Sequence, residues 1–154
     1  MIYIFDADGT LRASTVPGQP CPNRAGEWKL LPNVKKTLKK IDWSKNHIGI
    51  ASNQGGIALG YLDLDTAYQL CCDMVVEATG RWPPTGCIQI CPHAPDEGCA
   101  CRKPNALMLE YIMRFYGTRD AMMIGDMESD HLAAEAAGIP FQWAADFFGW
   151  ETQP

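Results

Sequence analysis

No apolar run in the chain comes near the roughly 20 residues that a membrane-spanning helix needs. The opening MIYIF meets a carboxylate at Asp6. A secretory leader needs a basic start and a longer apolar stretch, so export by that route is not expected. A basic surplus is lacking too: 13 lysines and arginines face 18 aspartates and glutamates, for a net charge of -5. A generic polyanion-binding surface is thereby excluded, and nucleic acid is not an expected partner. The one lysine run, Lys35, Lys36, Lys39, Lys40 and Lys45, reads as the solvated face of a helix. Internal repeats and low-complexity segments are absent. Seven cysteines cannot all pair, and without a leader the cytosol is the default compartment, so disulfides are not expected.

What is present is an ordinary globular composition. Of the 154 residues, 47% are hydrophobic and 20% charged, enough apolar surface to offset chain entropy in a single domain spanning 1–154. Residues 1–5 form a short apolar run that predicts a buried strand ending at Asp6. Residues 14–29, with three prolines and two glycines, read as loop. Val34, Leu38 and Ile41 share one helical face. His47–Ser52 predicts a second strand, stopped at Gly55–Gly56. Asp65 is the expected cap of a helix carrying Ala67, Leu70, Cys71, Met74, Val75 and Ala78, closed by Gly80. Strands are expected at Thr85–Ile90, Ala121–Gly125 and Ile139–Trp143. A helix opened by Pro104 and one carrying Leu132, Ala133, Ala136 and Ala137 lie between them.

Strands alternating with helices imply a parallel sheet covered on both faces, an α/β three-layer Rossmann-like sandwich. Ligands of such folds sit beyond the carboxyl ends of the strands. Asp6, Ser52 and Asp126 each stand at such an end. Asp6 and Asp8, two residues apart, can supply a nucleophile and a proton shuttle: a carboxylate that attacks phosphorus, and a second carboxyl that protonates the leaving alcohol. Anion attacking anion requires cations. Lys103 is one, and Asp126 with Asp6 can hold Mg²⁺, which prefers hard oxygen ligands. Ser52 offers a hydroxyl, and Asn53 with the turn at Gln54–Gly56 offers backbone N–H groups to phosphate oxygens.

These residues resemble the four motifs of the haloacid dehalogenase (HAD) superfamily, in order across residues 3–141. FDADGTL resembles the first, DxDGT. Ile50-Ala51-Ser52-Asn53-Gln54 resembles the second and Lys103-Pro104 the third. Gly125-Asp126-Met127-Glu128-Ser129-Asp130 resembles the fourth, GDxxxD. The resemblance implies that Asp6 is the nucleophile and Asp8 the general acid/base, and that Ser52 and Lys103 bind phosphate. It also implies that Asp6, the Asp8 carbonyl and Asp126 hold Mg²⁺, with Asp130 supporting the metal shell or Lys103.

CPHAPDEGCACRKP adds a second metal. Cys91, His93, Cys99 and Cys101 supply four N/S ligands, enough to close a tetrahedral structural zinc site. This loop and NQGGIALGY also resemble the HAD subgroup of heptose 1,7-bisphosphate and histidinol-phosphate phosphatases, where Arg102 matches a substrate-contacting arginine. Asp6-Ala7-Asp8 stands where that subgroup carries Asp-Arg-Asp. Only 43 residues separate Asp8 from Ser52 and 50 separate Ser52 from Lys103, so a capless HAD fold is expected. The expected activity is a Mg²⁺-dependent phosphomonoesterase in a cytoplasmic monomer, acting through an aspartyl-phosphate on a small polar phosphate, a sugar (heptose) bisphosphate or a histidinol-phosphate type substrate. The surfaces left for recognition (residues 11–28, the turn after Ser52 and the zinc loop) read as mainly polar. The enzyme alternative is a polynucleotide 3′-phosphatase, which FDADGTL, Glu27-Trp28 and Asp146-Phe147-Phe148 resemble. From another class, a zinc-stabilised binding module with a vestigial site is opposed by the intact set Asp6, Asp8, Ser52, Lys103 and Asp126.

Overall fold

The computed structural model describes residues 1–154. Apolar β-branched and aromatic residues in the first strand, β1 (Ile2–Phe5), bury both faces and place it at the centre of a five-stranded parallel sheet. The others are β4 (His47–Asn53), β5 (Ile88–Cys91), β6 (Ala121–Gly125) and β7 (Phe141–Trp143). The spatial order is β5-β4-β1-β6-β7. The chain leaves β1 to build β4 and β5 on one side, then crosses to β6 and β7 on the other. Asp6 therefore emerges where the strand order switches, the crevice in which such sheets bind ligands.

Two apolar clusters cover the two faces. One joins Phe5, Ile48 and Ile50 to α1 (Val34–Leu38), α2 (Leu64–Thr79) and α5 (Ala144–Phe148). The other joins Ile2, Ile4 and Ala51 to α3 (Leu107–Tyr116) and α4 (Glu128–Ala137). In α2 the buried Cys71, Met74, Val75 and Ala78 follow one helical face, and Gly80 closes the helix at φ 75°. In α3, Met108, Leu109, Ile112 and Met113 do the same, and Ile112 presses so closely on β4 that a side chain at Gly49 would collide with it.

Several boundaries differ from the sequence expectation. The segment 14–29 is bounded by a hairpin, β2 (Arg12–Ser14) paired antiparallel with β3 (Trp28–Leu30). The cap of α2 is Asp63, whose carboxylate accepts from the Thr66 amide at 2.7 Å, and Asp65 lies inside the first turn. Thr85–Cys87 is a 3₁₀ turn, so β5 starts at Ile88. Helix α1 stops at Leu38, and Ile41 packs on the core from the following turn. No element of the sequence reading corresponds to α5.

Candidate active site

After β1 the chain turns back sharply. The Leu11 and Arg12 amides donate to the Ala7 carbonyl at 2.9 and 3.2 Å, and the Gly9 amide donates to the Arg12 carbonyl at 2.8 Å. Gly9 takes φ 86°, and a Cβ there would run into the Asp126 carboxylate, so both backbone and space demand glycine. This turn aims Asp6 and Asp8 out of the sheet on neighbouring lines. Thr10 reaches across to β6, its hydroxyl donating to Asp126 Oδ1 at 3.0 Å.

Lys103, from the loop before α3, enters the same crevice and is 3% exposed. Its ammonium donates to Asp6 Oδ1 at 2.8 Å, Asp130 Oδ1 at 2.6 Å and the Ala51 carbonyl at 2.7 Å, which satisfies its three protons. Its backbone is pinned by Asn53: the Lys103 amide donates to Asn53 Oδ1 at 3.0 Å and Asn53 Nδ2 donates back to the Lys103 carbonyl at 3.2 Å. The Asn53 side chain is thereby occupied, and what that residue can offer a phosphate is its backbone. Asp130 also accepts from the Asp126 and Met127 amides at 3.1 Å through Oδ2, at the start of α4, where the helix dipole favours a carboxylate.

Three carboxylates thus face one lysine. Ligand oxygens of Asp6, Asp126 and Asp130 lie within 4.8 Å of one another. Burial pushes the Asp6 carboxyl up to about 7; Lys103 opposes that and Asp126 adds to it. Burial likewise raises Asp126 and Asp130. It works against the Lys103 ammonium as well, but Asp6 and Asp130 outweigh it and hold the lysine above its ordinary value. An all-oxygen donor set with uncompensated negative charge fits a hard divalent cation. Both Asp130 oxygens are already taken by Lys103 and two amides, so Asp6 and Asp126 are the carboxylates free to ligate.

Two buried side chains complete the crevice: that of Arg12, which sequence reasoning passed over, and that of Gln54, from which it expected only a backbone N–H. Arg12, 1% exposed, grips Asp8 with a fork: Nε donates to Oδ1 at 2.9 Å and Nη2 to Oδ2 at 3.3 Å. The Gln54 side-chain amide donates to Asp8 Oδ2 at 2.9 Å and to Ser52 Oγ at 2.7 Å. The available signal was an arginine four residues after Asp8, inside a turn that returns on itself. Ser52 is buried behind Gln54.

Cys91, His93, Cys99 and Cys101 converge on the far side of β5. Cys91 Sγ lies 3.4 Å from His93 Nδ1 and 3.5 Å from Cys99 Sγ. Cys101 Sγ lies 3.2 Å from His93 Nδ1, 3.8 Å from Cys99 Sγ and 2.7 Å from Cys91 Sγ. A tetrahedron with zinc–sulfur bonds of 2.3 Å has edges of about 3.7 Å, so the ligand set fits zinc with small separation of Cys91 from Cys101. The loop is tied to the crevice: the Gln54 amide donates to the Cys91 carbonyl at 2.8 Å, and Arg102 Nη1 donates to the His93 carbonyl at 3.0 Å beside Gly55. A cavity of about 530 Å³ opens next to Gln54, between the 18–23 segment and the turn at 54–62. Pro20, Leu59, Tyr61 and Leu62 line it. The recognition surface is thus more apolar than the sequence reading expected, because the exposed Leu59 and Tyr61 turn toward this opening.

Comparison with known proteins shows the family. The family model described as polynucleotide kinase 3 phosphatase matches residues 1–148. The D-glycero-beta-D-manno-heptose-1,7-bisphosphate 7-phosphatase of Pseudomonas putida is 34% identical over 139 residues, 89% of this chain and 78% of that protein. Its namesake in Pseudomonas aeruginosa is 31% identical over 140 residues, 88% of this chain and 75% of that protein. The crystal structure of the D,D-heptose 1,7-bisphosphate phosphatase from B. bronchiseptica, complexed with magnesium and phosphate, superimposes with a TM-score of 0.77. It is 27% identical, covering 99% of this chain and 88% of that one.

Proposed function

The chain belongs to the polynucleotide kinase 3 phosphatase family and is a phosphatase of the haloacid dehalogenase type; from that premise we propose how its residues divide the work and what they act on. Asp6 is the nucleophile, Asp8 the general acid and base, and Ser52 and the backbone at Asn53 receive the phosphoryl oxygens together with Lys103, which exchanges one of its three hydrogen bonds for a phosphoryl oxygen. The arrangement of Lys103 carries this reading: its ammonium touches Asp6 Oδ1 at 2.8 Å and is locked from behind by Asp130 at 2.6 Å. A cation so placed holds the attacking oxygen and draws a phosphate onto it.

Asp6, Asp126 and the Asp8 carbonyl are the proposed ligands of Mg²⁺, which when bound neutralises the charge between nucleophile and phosphate. Asp130 acts through its neighbours. It fixes Lys103 and the amides of Asp126 and Met127, and so holds the second carboxylate in place. Asp6 attacks phosphorus as Asp8 gives a proton to the departing alkoxide, leaving an aspartyl-phosphate. Asp8 then takes a proton from the water that attacks the phosphoryl group, inorganic phosphate leaves, and the Asp6 carboxylate and the protonated Asp8 are restored.

Cys91, His93, Cys99 and Cys101 hold a structural zinc that shapes the crevice wall. Arg102, carried by that loop beside Gly55, receives a second anionic group of the substrate. A sugar bisphosphate, of the class the Pseudomonas relatives are named for, meets these requirements. Its hydroxylated body is seated against Tyr61 and Leu59. The 154 residues work as a single capless domain, as a cytoplasmic monomer. Comparing kcat/KM for heptose 1,7-bisphosphate, histidinol phosphate and a 3′-phosphorylated oligonucleotide tests the assignment. The bisphosphate should lead, and Arg102→Ala should raise its KM. An oligonucleotide favoured tenfold or more would replace the sugar with a polynucleotide end.

A further inference from the structure

Arg12 has no part in the reading above, yet it is among the largest fully buried side chains in the molecule. Burying a guanidinium with a carboxylate is not a stabilising choice in itself, because apolar residues of similar volume serve a core as well or better. Here the arrangement is costlier still. Arg12 Nη1 is buried and finds no acceptor, and an unmatched buried donor costs about 1–3 kcal/mol. A core that needed only filling at this point, beside Leu11 and Leu31, would take methionine or leucine.

The partner explains the choice. Asp8 receives Nε on Oδ1, and Nη2 together with Gln54 Nε2 on Oδ2. A carboxylate has four acceptor positions, two on each oxygen. Three are filled by nitrogen donors, leaving one on Oδ1, and the Cys21 thiol also lies against this carboxylate. The Asp8 side chain is 16% exposed and that of Arg12 1%, so a substrate reaches this pair from the Asp8 side and not through the arginine. We infer that Arg12, with Gln54, is a positioning residue that presents one oxygen of Asp8, Oδ1, for proton transfer to the leaving alkoxide and from the attacking water. The planar fork sets both the tilt and the rotation of the carboxylate, which a lysine in its place could not do.

This inference rests on Asp8 being the general acid, so its test is built to separate the two. The kcat/KM of an aspartyl-phosphate enzyme covers events up to departure of the leaving group. p-Nitrophenolate leaves without a proton; the alkoxide of a sugar phosphate needs one. The readout is the ratio of kcat/KM for p-nitrophenyl phosphate to that for the heptose bisphosphate. Arg12→Met should raise this ratio tenfold or more, Arg12→Lys should raise it severalfold, and Asp8→Asn should raise it most. In the double variant Asp8→Asn with Arg12→Met, the ratio should move no further than in Asp8→Asn alone, since Arg12 acts through Asp8. Equal losses on both substrates in the Arg12 variants would make the arginine merely structural and overturn the inference. A ratio moved by Asp8→Asn but not by either Arg12 variant overturns it too, leaving the mechanism intact. A ratio that Asp8→Asn does not move overturns the role of Asp8 itself. If Arg12→Met fails to fold, Arg12→Lys, which keeps the buried charge and loses the fork, carries the same comparison.

Discussion

Asp6, the proposed nucleophile, should be a destabilising residue, and Asp6→Asn should expose that. Asp6 is 8% exposed and its carboxyl is pushed up to about 7, whereas in the unfolded chain it titrates near 3.8. A carboxyl raised on folding holds its proton longer in the native state, so stability falls as pH rises between the two values and the full loss is present above 7. That displacement corresponds to at most about 4 kcal/mol, of which roughly 2–3 kcal/mol accrues between pH 5 and pH 8. Asparagine is nearly isosteric and carries no charge, and Lys103 keeps Asp130 and the Ala51 carbonyl when Asp6 is neutral. In metal-free protein, then, Asp6→Asn should already be more stable than wild type by about 1–2 kcal/mol at pH 5, and the variant should gain further toward pH 8. For a domain of this size about 1 kcal/mol shifts Tm by roughly 2–4 °C, so the gap should open by about 4–12 °C. Thermal melts in a chelating buffer at the two pH values give the measurement, with turnover abolished in the same variant because an amide does not attack phosphorus. Adding Mg²⁺ at pH 8 should stabilise wild type far more than the variant. A gap that does not change with pH, or a variant that melts lower than wild type at pH 8, would refute the account of Asp6 as a buried, uncompensated charge.

Other expectations are as direct. Protein purified without added metal should contain one zinc per chain by elemental analysis, and Cys101→Ser should lower both zinc content and Tm, because ligation energy is folding energy; a zinc-free protein of unchanged Tm would remove the zinc reading. Gly125→Ala should cost tenfold or more in kcat at modest cost in KM. Its Cβ would overlap Asp130, displacing the carboxylate that locks Lys103 and the Asp126 amide; activity within twofold of wild type would show that Asp130 needs no fixed position.

The strands that carry the site are legible because each is an apolar run that stops abruptly at a polar residue. Asp6, Ser52 and Asp126 are therefore visible as strand ends in the residue pattern alone, and Lys103 joins them through the spacing of its motif. Arg12 is barely legible: its four-residue spacing from Asp8 in a returning turn is the one signal, and that spacing does not say that a charged side chain will be folded inward. The exposed-arginine expectation is overridden only by the tertiary position of Asp8. Gln54 reads as a backbone donor alone, since the reach of its amide to both Asp8 and Ser52 depends on how β4 ends relative to β1. The hairpin β2–β3 is hidden for a related reason: its strands are three residues each, too short for a period, and separated by a proline-rich span. Asp63 and Asp65 are equivalent in sequence terms, and only the hydrogen bond to Thr66 distinguishes the cap.

Two carboxylates two residues apart could compete for the same cation and the same role. The structure keeps them apart by giving each its own. Asp6 shares Lys103 with Asp130 and faces Asp126, a neighbourhood with more negative charge than its lysine can match. Asp8 has Arg12 to itself, and its charge is matched one for one by a guanidinium that no other carboxylate touches. The first carboxylate is thus left with attraction to spare for a divalent ion, as its proposed role as metal ligand and nucleophile requires; the second is not drawn into that cluster, as its proposed role in proton transfer requires. Ser52 and Gln54 stand on the boundary, with Gln54 joining the phosphate side to the proton side through two hydrogen bonds. The four-residue spacing from Asp8 to Arg12 is therefore as much a part of the chemistry as the two-residue spacing from Asp6 to Asp8: shift the arginine by one position in the turn and Asp8 becomes a fourth uncompensated carboxylate in the same crevice.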